Sequence, residues 1–332
     1  MSILNKSRIL ITGGAGFIGS EVCKQLLDLH SQVTVVDNLI NGKESNLDLE
    51  NKNLTFIHED IRNYSLMEEL INEADYLFNL ACLGVRHSLH SPMESHMVNA
   101  DATLNLLRIS KENKLNKFIH ISSSEVYGTA RYTPMKEDHP TFPHTIYGAS
   151  KLAGEGYVRA YNESYNLNTV IIRPFNSYGH NSHHEGDSGE VIPKFIIRAL
   201  TGEPLYIFGS GEQTRDFTFV SDTARALITI GMDDDENETY NLGSENEISI
   251  NDLAAMIIEL TGSTSKVIHI EPRPGDVLRL YSDSEKAFNK FGLKHEVNFK
   301  EGLNKLINWY KDTNDDLSLL LEEDQIKNWE AK

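Results

Sequence analysis

The sequence of 332 residues is poor in cysteine and in positive charge, and it holds no long apolar run. Two cysteines, Cys23 and Cys82, make no disulfide framework, so a reducing, cytoplasmic setting is the simpler expectation. Lys and Arg number 31 against 49 Asp and Glu, a formal net charge of −18. Nucleic acid and anionic membranes attract basic surfaces, so neither is expected as a partner. A local basic pocket for a phosphate is still allowed. No stretch approaches the roughly 20 apolar residues that span a bilayer. The first apolar run, Ile9-Leu10-Ile11, meets glycines at once, and no secretory signal is expected. The chain is long enough for one large domain or two coupled ones.

What is present is a regular alternation. Short apolar runs at Arg8 to Thr12, Gln32 to Asp37, Leu54 to His58, Tyr76 to Ala81, Lys117 to Ser122 and Thr169 to Arg173 predict strands. Helical patterns over Phe17 to His30, Pro92 to Glu112 and Tyr147 to Tyr165 separate several of them. Strands divided by helices of that length imply βαβ units, hence an α/β, doubly wound parallel sheet of the Rossmann kind. After Pro174 the pattern changes. A polar loop rich in Gly and His runs from Asn176 to Glu190, and shorter segments follow at Pro204 to Phe208 and Arg215 to Val220. Helices are expected over Asn251 to Thr261 and Glu301 to Tyr310. This predicts a dinucleotide domain over 1–175 plus about 218–243. A smaller C-terminal α/β substrate lobe would take 176–217 and 244–332. The acidic run from Asp233 to Glu238 reads as a solvated surface loop. The tail beyond Asp312 predicts a terminal helix at Leu317 to Leu321, to which no function is assigned.

Two patterns carry chemistry. Gly13, Gly16 and Gly19 lie between the first strand and the first helix. Glycines there allow a tight turn and a close approach of a pyrophosphate to the backbone, with Phe17 and Ile18 opening the helix whose N-terminus faces the phosphates. Asp37 ends the second strand, where a carboxylate accepts from a ribose 2′-OH and repels a 2′-phosphate; NAD is favoured over NADP. Tyr147 and Lys151 are four apart at a helix start and share a face. An ammonium and a cationic nicotinamide ring would both stabilise a phenolate. Lowering a tyrosine pKa by roughly 3 to 4 units needs about 4 to 5 kcal/mol. The product is a base for a sugar hydroxyl, with Ser123 sharing the hydrogen bond.

These segments together resemble the extended short-chain dehydrogenase/reductases of the nucleotide-sugar epimerase and dehydratase family over nearly the whole chain. The carrying motifs are Thr12 to Gly19, Asp37-Asn38-Leu39, Asp60-Ile61, Asn79 to Cys82, Ser122 to Gly128, Tyr147 to Lys151, Arg173 to Gly179, Phe208 to Asp222, Asn241 to Ser244 and Arg273 to Asp276. The resemblance implies bound NAD recycled in each turnover, held further by Asn38, Asp60 against the adenine, Ile61, Leu80, Ala81 and Asn99, with Lys151 on the nicotinamide ribose. It implies a nucleotide-sugar substrate contacted by Arg86, Ser124, Asn176, Arg215 and Arg279, a base walled by Val191 to Phe208, no metal, and a homodimer built on Pro92 to Glu112 and Tyr147 to Tyr165. Tyr147 would take the 4-hydroxyl proton as hydride leaves C4.

The reaction after the 4-keto sugar stays open. Glu125 stands where family dehydratases place a C5 base, though it could also accept a hydrogen bond from behind the sugar. Leu83 to Ser88 resembles the Gly-Val-Arg loop of 4-epimerases, and Arg86 could equally be structural. UDP-glucuronate decarboxylases share a similar Ser-Glu-Val-Tyr-Gly. A 4-epimerase is the favoured expectation, a 4,6-dehydratase the next, and a decarboxylase the third. A non-catalytic scaffold that senses dinucleotide is the alternative outside enzymes; its kind usually loses the Tyr or the Lys, and both are here. The loop His180 to Glu190 replaces the family's Pro-Arg with His180-Asn181; its His183, His184 and Glu185 read as part of a polar lid rather than a metal site.

Overall fold

The computed structural model describes residues 7–327, save 235, 236, 274, 314, 315 and 323. Residues 235 and 236 of the acidic run, 274 of the Arg-Pro-Gly-Asp motif and 323 of the tail therefore lie outside the described residues. Six strands come first: β1 (Arg8–Thr12), β2 (Gln32–Asp37), β3 (Leu54–His58), β4 (Tyr76–Asn79), β5 (Lys117–Ile121) and β6 (Thr169–Pro174). Then follow β7 (Asn176–Tyr178), β8 (Leu205–Phe208), β9 (Thr214–Phe219), β10 (Glu238–Leu242), β11 (Glu247–Ser249) and β12 (Val267–Ile270). The main sheet has seven strands in the order β10-β6-β5-β4-β1-β2-β3, all parallel.

A parallel sheet is covered on both faces, so its strands are apolar throughout. In β1, Ile9, Leu10 and Ile11 are all buried, yet they serve two cores. Ile9 and Ile11 pack with Val22, Cys23 and Leu26 of the helix Phe17–Asp28 and with Leu227 and Ile230 of the helix Val220–Gly231. Leu10 faces the other side, with Met67 and Ile71 of Tyr64–Glu73 and Leu106 of Ala102–Glu112. The doubly wound sheet follows from that alternation.

The smaller lobe has its own apolar cluster. Ile192, Phe195 and Ile196 of the helix Val191–Thr201 meet Leu253 and Ile257 of Ile250–Thr261 and Leu303 and Leu306 of Phe299–Asp312. Its strands form two small sheets, β11-β9-β7 and β12-β8. The tail helix, Leu317–Glu322, lies against Val191–Thr201 through Leu317, Leu320 and Leu321.

One expected element is interrupted. The helix over Pro92 to Glu112 is α-helical at Pro92–His96 and Ala102–Glu112, with a π-helical stretch at Met97–Asp101 between them. The extra residue in that turn rotates Asn99 inward, where it is 1% exposed.

Candidate active site

The site grows from the C-terminal edge of the main sheet, where a doubly wound fold binds its ligands. Gly13 follows β1, Asp37 ends β2, Asp60 lies just past β3, Leu80 and Ala81 past β4, Ser122 to Ser124 past β5, and Asn176 past β6. All of them line one large cavity, together with Tyr147 and Lys151 from the helix Ile146–Tyr165.

The glycine cradle is as tight as its spacing implies. Gly13 has φ +72°, and a Cβ there would stand 2.8 Å from the Ala81 backbone. Gly16 opens the helix Phe17–Asp28, its backbone extended and its position on the cavity wall. Asp37 is 8% exposed and accepts from the Ala15 N–H at 3.0 Å and the Leu39 N–H at 2.9 Å. Burial raises its pKa while those N–H groups oppose the shift. Asp60 is held by Arg62 at 2.7 and 2.8 Å and by Asn38 at 2.9 Å, and the Arg62 contact lowers its pKa to about 2. A cradle bare of Cβ atoms, facing a helix N-terminus and flanked by a ribose-side carboxylate, fits a dinucleotide.

The catalytic face is built by close packing. Thr145 caps the helix Ile146–Tyr165, its hydroxyl accepting from the Gly148 N–H at 3.1 Å. A Cβ on Gly148 would come within 2.5 Å of the Glu125 carbonyl oxygen, so the glycine lets the helix start lie against the Ser123-Glu125 turn. The Tyr147 hydroxyl is hydrogen-bonded with Ser123 and stands beside Cys82. Lys151 is 2% exposed, and its ammonium donates to the Ile121 carbonyl at 2.5 Å. Behind them Glu155, fully buried, accepts from the Ser122 hydroxyl at 2.6 Å and from Arg173 at 2.6 and 2.7 Å. That buried pair fixes the end of β5 and so the backbone that carries Ser123.

The electrostatics differ from the expectation in one respect. The protein alone does not depress the Tyr147 pKa. Burial pushes it up, Cys82 adds to the rise, and only the Ser123 hydrogen bond lowers it. Burial likewise lowers the pKa of Lys151, with Cys82 and Glu155 opposing. A phenolate at position 147 therefore depends on a further positive charge in the site, which the oxidised nicotinamide ring supplies when NAD is bound.

On the substrate side, Arg215 is 7% exposed and Arg273 lies beside it, both donating to one Asp276 oxygen, at 2.8 and 2.6 Å. Both guanidiniums line the cavity, as do Arg86, Ser124, Glu125 and Asn176. The Asn176 Oδ1 is buried with no hydrogen-bond partner. Arg86 donates to the Ser188 carbonyl at 2.8 Å, which ties the Gly-Val-Arg loop to the segment His180 to Glu190. Burial raises the Glu125 carboxyl, while Arg215 and Arg273 pull it down.

Two expected contacts lie elsewhere. Asn99 does not reach the cavity wall. The π-helical turn points it at the loop after β4, where its side chain bonds both backbone groups of Leu83, at 2.9 and 3.0 Å, and the Ser150 hydroxyl at 3.1 Å. It braces the loop after β4. Arg279 is outside the cavity too: it pairs bidentately with Glu247 at 2.7 Å, with a side chain 49% exposed. Arg273, inside a motif noted in the sequence but not singled out there, takes the place beside Arg215.

The cavity also holds Glu190, which no motif marks. Burial raises its pKa to about 7, with His183 and Arg86 opposing. Its only sequence signal is position, at the junction of an unusual loop and a helix. In that loop Glu185 pairs with Lys43 at 2.9 Å and Ser188 bonds Asn41 at 2.7 Å, so the segment reaches the ribose side of the cradle. His183 and His184 share the same Glu185 carboxylate. Among the described residues no group of three His, Cys, Asp or Glu is placed to hold a metal.

With the geometry in place, the comparisons with known proteins decide the family. A profile described as the NAD dependent epimerase/dehydratase family matches residues 9–243. The chain belongs to that family. A protein of Methanocaldococcus jannaschii named a putative UDP-glucose 4-epimerase is 37% identical over 92% of this chain and 99% of its own. A UDP-N-acetyl-alpha-D-glucosaminuronate decarboxylase of Bacillus cytotoxicus is 35% identical over 94% of this chain and 100% of its own. A solved dTDP-glucose 4,6-dehydratase of Streptomyces venezuelae, with NAD bound, is 29% identical with a TM-score of 0.88, over 92% of this chain and 97% of that one. This member of the family is an enzyme that uses NAD. No described helix is long and apolar enough to cross a membrane.

Proposed function

We propose that the enzyme oxidises C4 of a nucleoside diphosphate hexose and returns the hydride to the opposite face of the 4-keto sugar, a 4-epimerisation. The observation that supports it is the meeting, in one cavity, of the glycine cradle, the Ser123-Tyr147-Lys151 group, the Arg215-Arg273 pair and Arg86. In this reading the arginines hold the diphosphate; guanidinium forks suit phosphate oxygens better than ammonium groups do. Asn176 holds the sugar. Tyr147 takes the 4-hydroxyl proton and gives it back, Ser123 keeps the phenol oriented, and Lys151 holds the nicotinamide ribose. NAD supplies the hydride acceptor and the positive charge that Tyr147 needs. Residues 1–175 with about 218–243 serve the dinucleotide, and 176–217 with 244–332 the nucleotide sugar. A cytoplasmic homodimer completes the proposal.

A second reading has a specific observation behind it. Glu125 lies deep in the same cavity, near enough to Tyr147 to raise its pKa, and carries a carboxyl shifted toward neutrality. That is the placement a C5 base of a 4,6-dehydratase requires. Incubation with UDP-, dTDP-, GDP- and CDP-hexoses and the glucuronate separates the outcomes by product mass: unchanged for epimerisation, minus water for dehydration, minus CO2 for decarboxylation. Epimerisation in deuterated water leaves C5 and C6 unlabelled. Deuterium at C5, lost in Glu125→Gln, with C6 carrying the hydride taken from C4, would replace the first reading with the second.

A further inference from the structure

The tail beyond Asp312 carries no family motif, and the family profile ends well before it. Yet its last described residues return to the cavity. Asp324 and Ile326 both line it, opposite Lys194 and Arg198 of the helix Val191–Thr201. The Asp324 carboxylate is 4% exposed and pairs with Lys194 at 2.7 Å and with Arg198 at 2.5 Å. Lys194 also donates to the Gln325 carbonyl at 2.8 Å. Arg198 in turn lies over the ring of Tyr206, 4.7 Å from its centroid. Tyr206 opens toward the cavity from β8.

The position of this cluster identifies its ligand class. Asp37 and Asp60 mark the adenosine end of the dinucleotide, and Tyr147 its reactive end. Arg215 and Arg273 stand beyond, and the Arg198-Tyr206 stack lies on the wall of the substrate lobe. A flat aromatic with a guanidinium against it suits a nucleobase.

We propose that Asp324 and Ile326 are specificity-determining residues: the tail closes the nucleoside end of the substrate site, and Asp324 holds Arg198 against Tyr206 where the base of the nucleotide sugar is received. The inference rests on the nucleotide-sugar reading above. Two buried cations next to each other repel, and the carboxylate between them sets their geometry. Without it Arg198 leaves the ring and the tail loses its anchor on the helix. The chemistry at C4, on the far side of Arg215, is untouched.

The test is calorimetric binding of UDP, dTDP, GDP and CDP to the full-length holoenzyme and to Asp324→Ala, Asp324→Glu and Ile326→Ala, with KM and kcat for the best nucleotide sugar. Asp324→Ala should weaken the preferred nucleoside diphosphate and raise KM by about tenfold each, with kcat within twofold and NAD retained. Asp324→Glu should recover most of the affinity. Because the defect is at the nucleoside, the loss should be equal for the free diphosphate and the nucleotide sugar. Ile326, 37% exposed, can be shortened without unfolding the chain, and Ile326→Ala should raise KM severalfold even where Asp324→Ala folds poorly. Unchanged affinity in Ile326→Ala and in a folded Asp324→Ala, with the wild type binding normally, overturns the inference alone. A wild type that binds none of the four overturns the nucleotide-sugar reading and the inference with it.

Discussion

Tyr147 shows what a buried phenol needs before it can act as a base. The helix places it next to Ser123 and one turn from Lys151, but the low dielectric around it works against the phenolate. Tyr147→Phe keeps the ring and its packing and removes the proton acceptor. Turnover should fall by about 10²- to 10⁴-fold, the usual worth of a positioned general base, while NAD remains bound. Steady-state rates and the nicotinamide absorbance of the denatured protein check both halves; full activity would remove the base. Glu190 is the second residue whose ionisation matters. Its folded pKa of about 7 lies above the ordinary carboxyl value of 4.5. Below both values the carboxyl is neutral in either state and costs nothing. Between them the unfolded chain ionises and the folded one resists, so stability drains away as pH rises, and the penalty is complete above about 7. Glu190→Gln should accordingly melt several degrees higher than the wild type at pH 8 and at the same temperature at pH 4. An equal gain at both pH values would show that charge is not the cause.

At the scale of elements, the parts of the site that lie on the main sheet were legible in the sequence because fixed backbone geometry demands particular residue types. Gly13 needs φ > 0 and open space, and Asp37 must end β2, so spacing alone locates them. Arg273 and Glu190 escaped for the opposite reason. Their place depends on how the smaller lobe folds back, which no local period encodes. Arg279 was expected at the diphosphate, but a neighbouring Glu247, distant in sequence, claims its guanidinium. Asn99 is turned toward the loop after β4 by one extra residue in a helical turn, too slight a change for an apolar period to reveal. The helix Val220–Gly231 follows β9 without a polar break and merges with it in the pattern. The loop His180 to Glu190 is tied beside the cradle, through Glu185 to Lys43 and through Ser188 to Asn41. Glu185→Ala removes the pair with Lys43 and leaves every catalytic group in place. Stopped-flow displacement of NAD should then be severalfold faster, with Tyr147 chemistry unchanged; an unaltered release rate would confine the loop to the substrate.

At the scale of the whole molecule, the described surface leaves one helical face unexplained by the monomer. The helix Ile146–Tyr165 turns Ala149, Gly156 and Ala160 to solvent, and a Cβ on Gly156 would meet nothing within 4 Å. Ile146, at the start of that face, is 44% exposed. The adjacent helical run presents Met93 at 70% and Met97 at 40%. Small residues let two helices approach closely, and large apolar ones beside them gain about 25 cal/mol for each Å² they remove from water. A second copy of the chain related by a two-fold axis would cover both helices at once, because such an axis presents the same patch to itself. Ala160→Arg puts a charged side chain into the middle of that contact, 13 residues from Tyr147 and on a side chain the monomer does not bury. Sedimentation should show the wild type at twice the chain mass and the variant at the monomer mass. NAD content should be kept, because the cradle is made by one chain alone. A variant that sediments with the wild type would place the interface elsewhere and leave the apolar face without a partner.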